Sequence, residues 1–303
     1  MTLSAAIAPS PRVPAAPSMD GFSPIRARGL LVPCAGAAGT EINPLGLRDR
    51  QHRSLEDARR FYRKHYDRAE ALGIRRVIWH MPNGFQESGM RGRFAVLTVM
   101  GDRGQIWLEE LARFRQRQPD ASVGVYISAY LPRTIDSWRE EDILPAEPFN
   151  VADARHIDMV DRTVRPLMQA GVREIWLDNS APTDHRAAML ALANLIRLKY
   201  GLYVVFEGVP NIRVRGTTQR QLDWSVLTDF AAMGTHRLHL LRDPNRQWII
   251  PQHAEVIAVL ADHDINRSGG ETPPTSDDVR SYIDRGMTLF SMKELYDHFL
   301  LLE

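Results

Sequence analysis

Cysteine is nearly absent: Cys34 is the only one in 303 residues, so no disulfide can form within the chain. Thiols therefore give no reading of the redox compartment. No apolar run approaches the ~20 residues needed to span a bilayer, which excludes a transmembrane helix. The net charge is only +1, and no cluster of Lys and Arg concentrates it, so nucleic acid is not an expected partner. No Gly-rich dinucleotide fingerprint follows the first strand, because the GAAG after Cys34 has the wrong spacing and leads to Pro44 and Gly46. No His/Cys/Asp/Glu set has metal-ligand spacing, since His236 and His239 would point to opposite faces of one strand. The sequence thus calls for no metal and no cofactor.

What remains is an ordinary globular composition, 44% hydrophobic and 25% charged, long enough to bury a large core. Residues 1–28 are rich in Pro and Ala, without periodicity. Pro9, Pro11, Pro14 and Pro17 interrupt any apolar stretch a secretory signal would need. This segment reads as an N-terminal arm suited to docking on a neighbour in an assembly, and the rest as a soluble protein, cytoplasmic by default.

From residue 29 onward, strand-like and helix-like stretches alternate. Strand signals fall at Gly29–Cys34, Ile74–Met81, Ser122–Leu131, Val172–Leu177, Leu202–Phe206, His236–Leu241, Glu255–Leu260 and Met287–Ser291. Helices are expected from Ser54, where Ser-Leu-Glu-Asp resembles a capping box with Asp in the acidic slot, to Leu72. Others are expected over Gln105–Gln116, Val151–Ala170, Thr183–Tyr200, Thr218–Met233, Thr275–Arg285 and Lys293–Leu301. Eight strands alternating with helices predict an α/β fold, a (β/α)8 TIM barrel over residues 29–303 with the irregular arm over residues 1–28. An open doubly wound sheet is the competing arrangement.

Chemistry in such folds gathers at the carboxyl ends of the strands. Asp178 follows the fourth strand signal and Glu207 the fifth; Asp243 and the Asp262–Asp264 group follow the sixth and seventh. Trp79, His80, Tyr130, Trp176, Asn179 and Phe206 stand at the same ends and are the candidate substrate contacts. Acids flanked by aromatic rings suit a carbohydrate, whose C–H faces stack on rings while carboxylates hold its hydroxyls. Asp178 could instead simply cap the next helix, and Asp243, before Pro244, could start a turn. Glu207 is a poor turn residue and fits that structural reading less well.

In architecture and acid placement the chain resembles the glycoside-hydrolase-type (β/α)8 barrels. The α-amylase-type pattern implies a nucleophile at Asp178 in IWLDN, an acid at Glu207 in VVFEG and a third carboxylate at Asp264 in LADHDINR. Trp176 stands where that family carries an Arg. An α-galactosidase-type pattern pairs Asp178 with Asp243 instead. The resemblance implies a hydrolase that cleaves a glycosidic bond with a carboxylate pair. Two other classes stay open: a carbohydrate-binding or structural barrel without catalysis, and a phosphosugar lyase or isomerase using Lys293 or the Gly269-Gly270 loop.

Overall fold

The computed structural model describes residues 29–33, 54–80, 101–128, 130–132, 146–178, 186–207, 211–213, 220–222, 231–235, 255–260 and 287–292, with 277, 280, 283 and 284 between them. The expected arm, residues 1–28, and the expected last helix, residues 293–301, lie outside the described residues.

Twelve strands and four helices appear among those residues: β1 Gly29–Pro33, α1 Leu55–Ala71, β2 Arg76–His80, α2 Gly101–Arg117, β3 Ser122–Ser128, β4 Tyr130–Pro132, β5 Ala146–Pro148, α3 Ala154–Gln169, β6 Glu174–Asp178, α4 Arg186–Tyr200, β7 Tyr203–Glu207, β8 Asn211–Arg213, β9 Arg220–Leu222, β10 Ala231–Thr235, β11 Val256–Leu260 and β12 Thr288–Met292. Asp277, Arg280, Ile283 and Asp284, within the seventh expected element's helix, are helical. Eight strands run parallel in the order β1-β12-β11-β10-β7-β6-β3-β2. Because β1 pairs with both β12 and β2, the sheet curls until its two edges meet. The four described helices, α1 to α4, all fall between β1 and β7 in the chain. The chain is therefore an α/β protein with a curled parallel sheet, compatible with a TIM barrel.

Local chemistry sets the element ends. Ser54 caps α1: its hydroxyl accepts the Asp57 N–H at 3.1 Å while the Asp57 carboxylate accepts the Ser54 N–H at 3.0 Å, so aspartate completes the capping box. That hydrogen bonding, with Arg60 beside it, holds the Asp57 carboxyl below its usual range. Three of the helices hand over to the next strand through a left-handed glycine, Gly73, Gly171 or Gly201, which only a residue without Cβ adopts cheaply.

Parallel strands buried on both faces need two cores. On the outer face, Trp79 is completely buried against α1 and α2, with ring centroids 5.6 Å from Tyr62, 5.0 Å from Tyr66 and 6.3 Å from Trp107. Beneath that cluster the buried Glu110 of α2 ties the helices together, accepting from Arg63 of α1 at 2.9 Å and Arg59 at 3.3 Å. These bonds outweigh its burial and hold its carboxyl below the usual range.

Two expectations are corrected. Thr218–Met233 is not one helix: it contains β9 and the first residues of β10, and the sixth strand of the ring is Ala231–Thr235. The expected strand at 236–241 lies outside the described residues. The third strand also stops earlier, at Ser128, and Tyr130–Pro132 pairs antiparallel with Ala146–Pro148 as a hairpin beyond the sheet.

Candidate active site at the strand ends

The interior of the ring is organised in rows, because positions two apart on a strand share a face. Arg76, on β2, reaches across to β6, where it donates to Glu174 at 2.7–2.9 Å, and to Glu255 just before β11. Neither partner lies on a strand neighbouring β2, so these bonds cross the inside of the ring. Ser122 of β3 and the Trp176 indole N–H also donate to Glu174, while Tyr203 (2.7 Å) and Thr288 (2.9 Å) donate to Glu255. Burial opposes the Arg76 charge, but the two carboxylates more than offset it and raise its pKa. Burial likewise pushes the Glu255 carboxyl up, and the Arg76 charge and three donors bring it below its usual range. Burial and the Glu255 charge push the Tyr203 hydroxyl upward.

This polar row closes the amino-terminal end of the sheet interior. Above it sits an aromatic row: Trp176 packs on Tyr126 at 5.6 Å and on Phe290 of the opposite β12 at 5.1 Å. Gly124 faces the same interior, and a Cβ there would come within 2.6 Å of Ile78 Cδ1 and 2.9 Å of Glu174 Cβ. The absent side chain is what leaves room for Glu174.

The third row is the carboxyl end. His80, Ser128, Asp178 and Glu207 are the last residues of β2, β3, β6 and β7. Each continues the alternation of an interior position: Ile78, Tyr126, Trp176 and Val205 stand two residues earlier. Ser128 and Asp178 are register partners. Leu177 and Phe206 are partners as well, so Asp178 and Glu207 stand one step further along neighbouring strands. Glu207 in turn partners Met233 of β10.

The expected aromatic contacts divide differently from the sequence reading. Trp79 and Phe206 are completely buried; Trp79 belongs to the helix-facing core, and Phe206, the partner of Leu177, alternates with the interior position Val205. Trp176 is interior but also wholly buried, held by Tyr126, Phe290 and Glu174. All three rings are enclosed by the chain's own side chains. Tyr130 lies on β4 of the outlying hairpin. Asn179, Asp243 and Asp264 lie outside the described residues.

One acid–histidine group could resemble a metal site: Glu147, Asp153 and His156, beside the β4–β5 hairpin. The His156 Nδ1 accepts the Asn150 N–H at 2.9 Å, which leaves the proton on Nε2, donated to Glu147 at 2.9 Å. With both ring nitrogens engaged, His156 has no lone pair to give an ion. Asp153 caps α3 and binds Arg155, whose bonds lower the Asp153 carboxyl to about 2. The group is a clamp between hairpin and helix. Among the described residues, no helix is long and apolar enough to cross a membrane.

No protein-family model matches the chain, and no curated protein matches its sequence. Among solved structures, an α-L-fucosidase GH29 from Bacteroides thetaiotaomicron aligns with TM-score 0.48 at 12% identity, over 88% of this chain and 66% of that one. An O-GlcNAc hydrolase variant from Thermobaculum terrenum aligns with TM-score 0.47 at 10% identity, over 89% of this chain and 55% of that one. The chain spans less than two thirds of the length of either enzyme, and likeness of this degree carries no argument about activity.

Proposed function

We propose that residues 29–303 form a (β/α)8 barrel and that the chain is a glycoside hydrolase acting through Asp178 and Glu207, with residues 1–28 as an arm outside the barrel. The barrel reading is supported by the strand registers. Carried round the ring from Pro33, they pass His80, Tyr126, Trp176, Val205, Ala231, Glu255 and position 286, and return to β1 at position 25. A return from 33 to 25 is a stagger of about eight residues, the shear of a (β/α)8 barrel.

The observation that carries the catalytic reading is the placement of Asp178 and Glu207 at matching positions on neighbouring strands. Adjacent strands lie ~4.8 Å apart. Neighbouring strands can supply either carboxyl separation that glycosidases use, the ~5–5.5 Å of retaining enzymes or the ~6.5–9.5 Å of inverting ones. Asp178 is the nucleophile and Glu207 the acid that protonates the leaving oxygen, then the base that activates water. At either separation two carboxylates repel, which favours keeping a proton on one of them. The substrate is a carbohydrate; Asp264 and Asp243 are the candidate further acids, and His80, Tyr130 and Asn179 the candidate contacts to sugar hydroxyls.

Isosteric changes test the roles. Glu207→Gln removes leaving-group protonation, so natural glycosides should lose about 10²–10⁴-fold in rate while activated aryl glycosides, which need little protonation, lose far less. Asp178→Asn should abolish turnover of both. If Asp243→Asn shows the acid-deletion pattern while Glu207→Gln stays active, the acid belongs after the sixth strand. A wild-type chain that binds glycans but cleaves none of a broad panel would make it a recognition module.

A further inference from the structure

Two turns meet at the amino-terminal end of the sheet, where α2 hands over to β3 and α3 to β6. They are neighbours because β3 and β6 are paired strands. Arg115, in the last turn of α2, donates to the Ala121 carbonyl, and Arg173, just before β6, donates to the Pro119 carbonyl at 3.5 Å. Two guanidinium groups therefore hang on one short turn. Gly171 makes room for the first of them: a Cβ there would come within 3.3 Å of Arg115 Nε. Arg113 and Arg117, on either side along α2, each bond a carboxylate, at 2.8 Å to Glu110 and 2.6 Å to Asp67. Among the described residues, Arg115 and Arg173 have no carboxylate within ion-pair distance. Burial and the Arg173 charge hold the Arg115 guanidinium below its usual range, with Asp120 of the same turn acting against them.

We propose that Arg115 and Arg173 form a binding site for a phosphate dianion, free or as the phosphoryl group of a small ester, at the end of the sheet opposite Asp178 and Glu207. Arg173 and Asp178 bracket β6, which separates the two ends by about 16 Å. Each guanidinium commits one nitrogen to a carbonyl and keeps further N–H donors. A planar carboxylate matches one guanidinium fork edge to edge, whereas a tetrahedral phosphate has oxygens for two forks arriving from different elements. An anion between them also replaces the repulsion of like charges by attraction to both. The site stands whether or not the chain cleaves glycosides.

Arginine side-chain nitrogen NMR tests it in the full chain. The Nε–H signals of Arg115 and Arg173, identified by their loss in Arg115→Gln and Arg173→Gln, should shift saturably with inorganic phosphate, with a Kd of about 1 mM, the scale of two charge-assisted hydrogen bonds. Sodium chloride at matched ionic strength should leave them in place. Arg173 is exposed, so Arg173→Gln leaves the fold intact; it should weaken phosphate binding about 10-fold as read from the Arg115 signal. Arg173→Lys, which keeps the charge without the fork, should recover only part of that loss. A hexose phosphate titrated in parallel names the source: tighter binding than inorganic phosphate marks an ester, equal or weaker binding the free ion. A phosphate response no larger than that to chloride, or one that Arg173→Gln leaves unchanged, means an adventitious ion only and overturns the proposal.

Discussion

Changing Glu174 to glutamine perturbs the interior network with almost no change in volume. Glu174 is 1% exposed and accepts from Arg76, Ser122 and Trp176. The amide keeps one acceptor oxygen but turns an NH2 toward a ring of donors, and Arg76, itself 7% exposed, retains only Glu255 as counter-charge. Breaking a buried ion pair from one side costs about 3–5 kcal/mol. For a chain of 303 residues, unfolding entropy of about 2.1 cal/mol/K per residue gives about 0.6 kcal/mol per degree, so the melting temperature should fall by roughly 5–8 °C. Replacing Arg76, Glu174 and Glu255 together by apolar residues of similar size should recover most of that loss, because no charge is then left buried alone. The pH dependence has a fixed sign. The Glu255 carboxyl is held below its usual range in the folded chain, so its contribution is complete above the unfolded value of about 4.3 and disappears as pH falls through the folded value. Acid melts of wild type should therefore steepen below about pH 4 relative to Glu255→Gln. Calorimetric melts of the wild type, the single variants and the triple variant decide it. A shift below about 2 °C for Glu174→Gln would refute the claim that the network bears on stability.

Gly171→Ala should destabilise, since its φ of 90° is hostile to a Cβ and the added carbon would meet Arg115 Nε at 3.3 Å; a loss of about 1 kcal/mol in urea melts is expected, and an unchanged midpoint would contradict the strained cap. Deleting residues 1–28 should leave the melting temperature within about 2 °C of the full chain while altering any self-association seen by light scattering; a large drop would make the arm part of the fold.

Much of the ring was legible because its strands are β-branched and apolar where they meet helices on one side and each other on the other. The Val172–Leu177 and Leu202–Phe206 runs are of this kind, and both lie within a residue or two of β6 and β7. Ala231–Thr235 was not legible: Ala, Met and Gly have little strand preference, and the segment is held by its ladders with β7 and β11 rather than by its own propensity. The more strand-like HRLHLL just beyond drew the reading away. For the site, positions along the chain were legible but faces were not. A parallel strand buried on both sides carries no polar–apolar alternation to say which residues look inward, so Trp79 and Trp176 read alike although one packs on helices and the other on the interior. The interior charges did leave a trace. Arg76 and Glu174 each follow another charged residue and head a run of large apolar residues, and a charge on the inward alternation of such a strand has to find a partner inside.

The Arg76–Glu255 bond joins residues 179 positions apart in sequence, while Arg76 and Glu174 are separated by 98. A chain emerging from the ribosome therefore presents Arg76 first, then Glu174, and supplies the second counter-charge only when β11 is made. Until then the first half of the sheet has an open edge on each side and a cation without its full complement of acceptors. The second half thus brings both the strands that close the ring and the acid that completes the coordination of Arg76, so the first half of this chain should wait for the second, and a fragment ending near Glu207 should bind tightly to its missing half when the two are mixed.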